Sequence, residues 1–249
     1  MHRCPVIQAL LLPKPRWIAI PLCNYNLFLM TRSKPDLFGD GRIWMRNALS
    51  EEERTCLLDL MARPDRPGAR IPLTEGIHRV LGQCAFLSSI AEVWPGMRPV
   101  RMVGFEKRAD KNWVVPWHQD RIIAVAEKTE LDGFHNWSRK GDAWHCEPPE
   151  HMLREMLFVR IHLDPNTAEN GAMEIAQGSH AQGLVPADQA ERVAQSYPTE
   201  VTEADAGDVL ILPMLCLHRS GVSKTSEARR VLRLDFSPLD LPPPLRWAS

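Results

Sequence analysis

Short apolar-rich runs separated by Gly, Pro and Asn fill the chain from residue 99 onward. Residues 100–105, 113–117, 122–126, 157–163, 171–176, 209–212, 215–218 and 231–236 each have the length and side-chain content of a strand. Many short strands at this spacing predict a β-barrel or sandwich. Val231-Leu-Arg-Leu-Asp-Phe236 alternates apolar and polar positions, which predicts a strand with one wet face. Before residue 99 the period is that of helices. Ser50-Glu-Glu-Glu53 is a capping-box pattern with three acids in the first turn, where the helix dipole favours them. Leu57, Leu58 and Met61 follow as an apolar face, and Pro64 supplies the stop. A second helix is expected from about His78 to Val93, ended by Trp94-Pro95-Gly96. Both helices read as supports packed on a sheet. Residues 127–149 show no clear period and read as a strand-poor connection, and connections of such length are usually functional or disordered.

The chain has 249 residues, 44% of them apolar, which suffices for one sizeable core. The expected organisation is an N-terminal extension over 1–40, a single domain over 41–240 and a Pro-rich tail over 241–249 in polyproline geometry. Residues 1–35 contain no acid, and Pro13, Pro15 and Pro21 interrupt their apolar runs. They read as a poorly ordered extension or as sequence upstream of a natural start at Met30, in preference to a transit peptide or secretory signal. No run approaches the ~20 apolar residues of a membrane span. A net charge of -1 argues against a nucleic-acid surface. The six cysteines show no CxxC spacing, which suits free thiols in a reducing, cytoplasmic setting and argues against a thiolate zinc site.

Candidate chemistry lies in Trp113-Val-Val-Pro-Trp-His-Gln-Asp120, taken with His218 a hundred residues on. Two neutral imidazoles and one carboxylate can hold a divalent iron on one face and leave the other open. The H-x-D/E pattern occurs three times, at His118/Asp120, His145/Glu147 and His162/Asp164. A barrel must wind through several strands before a distal histidine lies beside the first pair, and the interval from His118 to His218 gives room for them. His162 reads as a strand histidine, with Asp164-Pro165 opening the next turn. Arg229 follows His218 by eleven residues, on the next strand of a hairpin, where a guanidinium can clamp a carboxylate in bidentate fashion. Strand alternation lets only one of Arg229 and Arg230 face inward. The spacing favours Arg229. Glu169-Asn170-Gly171 and Gly178-Ser179-His180 read as turns, and Cys216 as packing.

Trp117-His-Gln-Asp120, Val159-Arg-Ile-His-Leu-Asp-Pro165, Glu169-Asn-Gly-Ala-Met173, Gln177-Gly-Ser-His180, Gly207-Asp-Val209 and His218 through Arg229 come in an order that resembles the phytanoyl-CoA dioxygenase-like iron(II)/2-oxoglutarate oxygenases. The resemblance covers roughly residues 40–240. It implies a mainly β fold with flanking helices around a double-stranded β-helix (jelly-roll) core. It also implies Fe(2+) held by His118, Asp120 and His218, and 2-oxoglutarate held by Arg229 with help from Ser220. Lys107, Gln119 and Arg160 fall near the cosubstrate in members of the family, although Arg160 departs from the aromatic residue that some relatives have. The implied reaction consumes O2, with ascorbate as a candidate reductant, and hydroxylates a small-molecule substrate with release of succinate and CO2. Related halogenases replace the carboxylate with a small residue, so Asp120 favours hydroxylation or another oxidation. Phe134, Trp137 and Trp144, with Trp113 and Trp117 upstream, are expected to wall the substrate site, residues 127–149 acting as a lid. Coenzyme A thioesters, amino-acid derivatives and natural-product intermediates all fit this expectation. The alternatives are a non-catalytic binder of metal and 2-oxoglutarate, and a cupin-like metal hydrolase or isomerase.

Overall fold

A computed structural model describes residues 41–61, 68–108 and 110–248. In chain order the elements are β1 (Ile43–Met45), α1 (Glu51–Leu60), β2 (Ala69–Ile71), α2 (Glu75–Leu81), α3 (Ala85–Val93), β3 (Arg98–Lys107), β4 (Val115–His118), β5 (Ile123–Val125), β6 (His135–Lys140) and β7 (Ala143–Glu147). There follow α4 (Glu150–Arg154), β8 (Leu157–His162), β9 (Met173–Ala176), α5 (Ala190–Ala194), β10 (Thr199–Val201), β11 (Val209–Pro213), β12 (His218–Ser220) and β13 (Arg229–Ser237). The expectations for residues 1–40 lie outside the described residues, as does Pro64. Among the described residues no helix is long and apolar enough to cross a membrane.

Three antiparallel sheets form a jelly-roll core with flanking helices. A six-stranded sheet has the order β1-β11-β8-β13-β3-β2, a four-stranded sheet β10-β9-β12-β4, and a small sheet β5-β7-β6. Strand alternation divides the six-stranded sheet into two unlike faces. Val159, Ile161, Ile211, Leu232, Leu234 and Phe236 point toward the helices and pack with Leu57, Leu81, Phe86 and Ile90. The opposite positions of β8 and β11, Phe158, Leu210 and Leu212, form an inner core with Met173 and Ile175 of the four-stranded sheet. The polar positions of β13 also belong to this inner face. They are not wet: Arg233 is 4% and Asp235 1% exposed. The alternation correctly signals a strand, but its polar side is the interior of the barrel.

The helix signals act locally as expected. Ser50 Oγ accepts from Glu53 N, and the Glu53 carboxylate accepts from Ser50 N at 2.7 Å, completing the box. The single helix expected over 78–93 is two, α2 and α3, because the chain turns at Gly82 and Gln83 before Cys84 starts the next helix. Residues 127–149 contain the β6–β7 hairpin rather than a loop. Residues 215–217 precede a strand instead of forming one, and β12 begins at His218. The tail is docked: Leu241 and Leu245 are buried in the inner core, and Ala126 N donates to Arg246 O at 2.9 Å. Cys84, Cys146 and Cys216 are buried free thiols. Cys56 is disulfide-bonded, against the expectation of free thiols throughout.

Candidate metal centre and its cation-lined cavity

Pairing between β4 and β12 sets His118 directly opposite His218, closing the hundred-residue interval between them. Asp120 lies two residues past His118 and so shares its side of the chain, while Trp117 and Gln119 face the other way. The two imidazole centroids are 4.2 Å apart. One donor atom from each of His118, Asp120 and His218 lies within 4.8 Å of the other two. Among the described residues this is the only such group of three.

Backbone carbonyls fix both rings. His118 Nδ1 lies 2.8 Å from Pro116 O, and His218 Nδ1 lies 2.9 Å from Cys216 O. A carbonyl only accepts, so each Nδ1 carries a proton, which leaves each Nε2 as the ring atom free for another partner. Second partners of this kind are what orient histidine ligands in metal sites. Ser179 Oγ further anchors the approach to β12 by accepting from Leu217 N at 2.9 Å. Burial, with the neighbouring His218, pushes His118 down to about 4, so its ring is neutral near pH 7. Burial would raise Asp120, but the Arg233 guanidinium outweighs it and holds the carboxyl well below its usual range.

The triad opens into a cavity of about 180 Å3. Register pairing brings Lys107 on β3 opposite Arg229 on β13, and Arg160 on β8 opposite Arg233. All four cations are buried, and Arg160, Arg229 and Arg233 line the cavity. Lys107 Nζ donates to Ser220 Oγ at 2.9 Å and to Gly221 O at 2.5 Å. Arg229 Nη1 donates to Asn166 Oδ1 at 2.9 Å, while Arg229 Nε and Arg160 Nε have no hydrogen-bond partner. Burial and mutual repulsion push these groups toward neutrality. Lys107 falls to about 8 through burial and then the charges of Arg229 and Arg160. Arg160 falls to about 9 through burial, Arg229 and Arg233. Arg229 falls to about 10 through burial. Gly171, at φ 75°, closes this end, where an added Cβ would sit 2.9 Å from Gly221 O and 3.2 Å from Lys107 Nζ.

Arg230 is elsewhere. It points to the sheet's outer side, and Asp164 accepts from its Nε at 2.7 Å and its Nη2 at 2.8 Å. Gln119 is also away from the cavity, since its amide donates to Gly183 O and Leu215 O and accepts from Val185 N. Of the aromatic residues expected around a substrate, only Trp113 lines the cavity, its ring centroid 5.0 Å from Lys107 Nζ. Trp117 packs behind the triad with Val185 and Leu217. Phe134, Trp137 and Trp144 pack into the inner core around the small sheet, so the hairpin's aromatics cover the barrel rather than the triad. His145 and His162 are buried strand histidines outside the cavity lining, His145 Nε2 accepting from Arg70 Nε at 3.1 Å.

Arg233 is the residue that sequence reasoning passed over. Its Nη1 donates to Asp120 Oδ2 in a very short contact, and its Nε donates to Asp235 Oδ1 at 2.5 Å. The available signal was even spacing, since 229, 231, 233 and 235 must share one face of a strand. Phe105, Val115 and Met173 supply apolar walls to the same cavity.

The phytanoyl-CoA dioxygenase family model matches residues 39–231. No curated protein gives a significant match. Among solved structures, the non-heme alpha ketoglutarate dependent epimerase SnoN from nogalamycin biosynthesis superposes with a TM-score of 0.57 at 17% identity, over 81% of this chain and 77% of that one. The carbocyclase SnoK from the same biosynthesis gives 0.58 at 16% identity, over 85% and 86%. HygX from Streptomyces hygroscopicus, solved with nickel and 2-oxoglutarate bound, gives 0.53 at 16% identity, over 82% and 85%. At such identities the likeness is one of fold.

Proposed function

The chain belongs to the phytanoyl-CoA dioxygenase family, and from that premise we propose that it is an iron(II)- and 2-oxoglutarate-dependent oxygenase hydroxylating a C–H bond of a small organic molecule. The observation that carries this reading is the contact between His218 Nε2 and Asp120 Oδ2 at 3.1 Å. With Nδ1 committed to a carbonyl, Nε2 and the carboxylate meet as two acceptors unless a cation, a proton or a metal ion, lies between them. A proton satisfies two atoms. A divalent ion satisfies both together with His118, which is the donor set suited to non-haem iron with open positions.

Bound there, iron with 2-oxoglutarate and O2 supplies the oxidising power for C–H cleavage, and the cosubstrate leaves as succinate and CO2. The chain's own residues bind and orient. Arg229, Lys107 and Ser220 form the seat for the far carboxylate of 2-oxoglutarate. The unpartnered Nε atoms of Arg229 and Arg160 support an anionic occupant, because an isolated buried charge is costly until paired. Arg233 holds Asp120 in one orientation through a charge-assisted bond. Phe105, Val115 and Met173 add apolar walls, and a low-dielectric wall strengthens charge interactions beside it.

The test is succinate formation in air from iron(II) and 2-oxoglutarate, with product mass read when a substrate is turned over. The reading expects O2-dependent succinate, loss of it in Asp120→Ala, and a product heavier by one oxygen atom. Unchanged succinate formation by Asp120→Ala would refute it. Cosubstrate binding without any decarboxylation would favour a binding-only relative, and a product isomeric with its substrate would move the reaction from hydroxylation to epimerisation.

A further inference from the structure

A second hollow, of about 400 Å3, lies beside the other end of β3. Arg101, Arg70 and Lys140 line it together with His145 of the small sheet. Asp142, exposed at the β6–β7 turn, is the one carboxylate in the lining. The charges here are under-compensated. Arg70 Nε is spent on the His145 ring, and the Lys140 ammonium makes no hydrogen bond or ion pair among the described residues. Arg101 pairs with Asp235 at 2.7 Å, but Asp235 is shared with Arg233, and Arg101 Nε is buried without a partner. Burial and the neighbouring cations depress Arg70 and Lys140, and they push His145 down to about 4. An anion would relieve all three.

The remaining walls are apolar, with Leu73, Met102 and Ala124 among them. A mostly apolar hollow with a few converging polar groups is the usual form of a small-molecule site. Its place relative to the metal centre is set by register. On β13, Arg233 reaches Asp120, and two residues on, roughly 7 Å along the strand, Asp235 reaches Arg101. The ion-pair chain Arg101–Asp235–Arg233 therefore links a lining residue of the second hollow, Arg101, to a lining residue of the first, Arg233.

We propose that this second hollow receives the anionic end of the organic substrate, a carboxylate or phosphate carried on an apolar body. That the ligand is the substrate rests on the oxygenase reading, whereas the binding itself needs neither metal nor turnover. The test is calorimetric titration of the metal-free full chain with 4-phenylbutyrate, 4-phenylbutyl phosphate and the neutral 4-phenylbutanol, in wild type, Arg229→Gln and the double variant Arg70→Gln/Lys140→Gln. At least one of the two anions is expected to bind about tenfold or more tighter than the alcohol, equally in wild type and Arg229→Gln, and the stronger of the two identifies the oxyanion. That preference is expected to disappear in the double variant, both of whose positions are exposed. Lys140→Gln alone, at a hairpin end, is expected to reduce it partially and serves where the double variant fails to fold. Equal binding of acid, phosphate and alcohol to wild type overturns the proposal, as does a preference lost in Arg229→Gln but kept in the double variant. Because no turnover is read, failure here leaves the oxygenase reading standing, and absence of succinate leaves this site standing.

Discussion

Two guanidinium groups face each other across β13 and β8 in very different circumstances. Arg233 sits between Asp120 and Asp235, whose charges raise its affinity for the proton against the effect of burial. Arg160, directly opposite in register, has no carboxylate of its own and is depressed to about 9, and Arg229, four residues before Arg233 on the same face, is depressed to about 10. Like charges opposite one another across strands destabilise a sheet. One end of the barrel interior thus pairs its charges within the protein, and the other leaves Arg160 and Arg229 without a carboxylate partner. In the proposed reading, the paired end positions a metal ligand and the unpaired end receives the cosubstrate.

The largest effect expected is at the triad, where Asp120→Ala removes the only anionic donor and should bring succinate formation to background. Next is the unpaired end. Arg229→Gln removes one partner of a buried charge pair, a loss of about 2–5 kcal/mol, and should weaken 2-oxoglutarate by about 30- to 4,000-fold in a calorimetric titration. Arg233→Met attacks the paired end and should lower metal affinity by about 10–100-fold. The same variant strands Asp235 beside Arg101 alone and should cost about 3–5 kcal/mol in urea unfolding. If metal affinity holds while stability falls, Arg233 is structural and does not position Asp120.

A smaller effect should follow from pH. Lys107, brought down from 10.5 to about 8, is mostly cationic at pH 7 and mostly neutral at pH 9. An anionic cosubstrate prefers the cation, so its affinity should fall as pH rises through this window, by up to about tenfold between pH 7 and 9. Lys107→Met should bind more weakly at pH 7 and show a flatter profile. The smallest effect belongs to Arg230→Gln, whose partly exposed pair with Asp164 contributes about 1 kcal/mol or less and should leave 2-oxoglutarate binding as in wild type.

The contrast also marks what could be read from the chain. The convergence of His118, Asp120 and His218 is legible because few side chains can hold a divalent ion, and because the His118–His218 interval admits the strands that a barrel needs. That only one of Arg229 and Arg230 faces the interior is legible from alternation, and the eleven-residue spacing from His218 points to Arg229, the one that is buried. Arg233 and Asp235 were misread as wet because solvent and an enclosed charged site both call for polar residues at every second position. The β6–β7 hairpin was read as an aromatic lid because His135–Lys140 is polar and Asn136, at φ 56°, breaks its alternation. Its tryptophans are core because the strand pairing turns them onto the barrel. The Pro-rich tail reads as a terminal extension because proline content says nothing about where Leu241 and Leu245 find a hydrophobic surface.

The most direct measurement is anaerobic binding of 2-oxoglutarate with and without iron(II), in wild type and in Asp120→Ala. A triad that holds the metal beside a cation-lined seat predicts at least about tenfold tighter binding with iron in wild type, and no effect of iron in the variant. Binding that ignores iron in the wild-type protein, or an iron effect that survives in Asp120→Ala, would contradict the account.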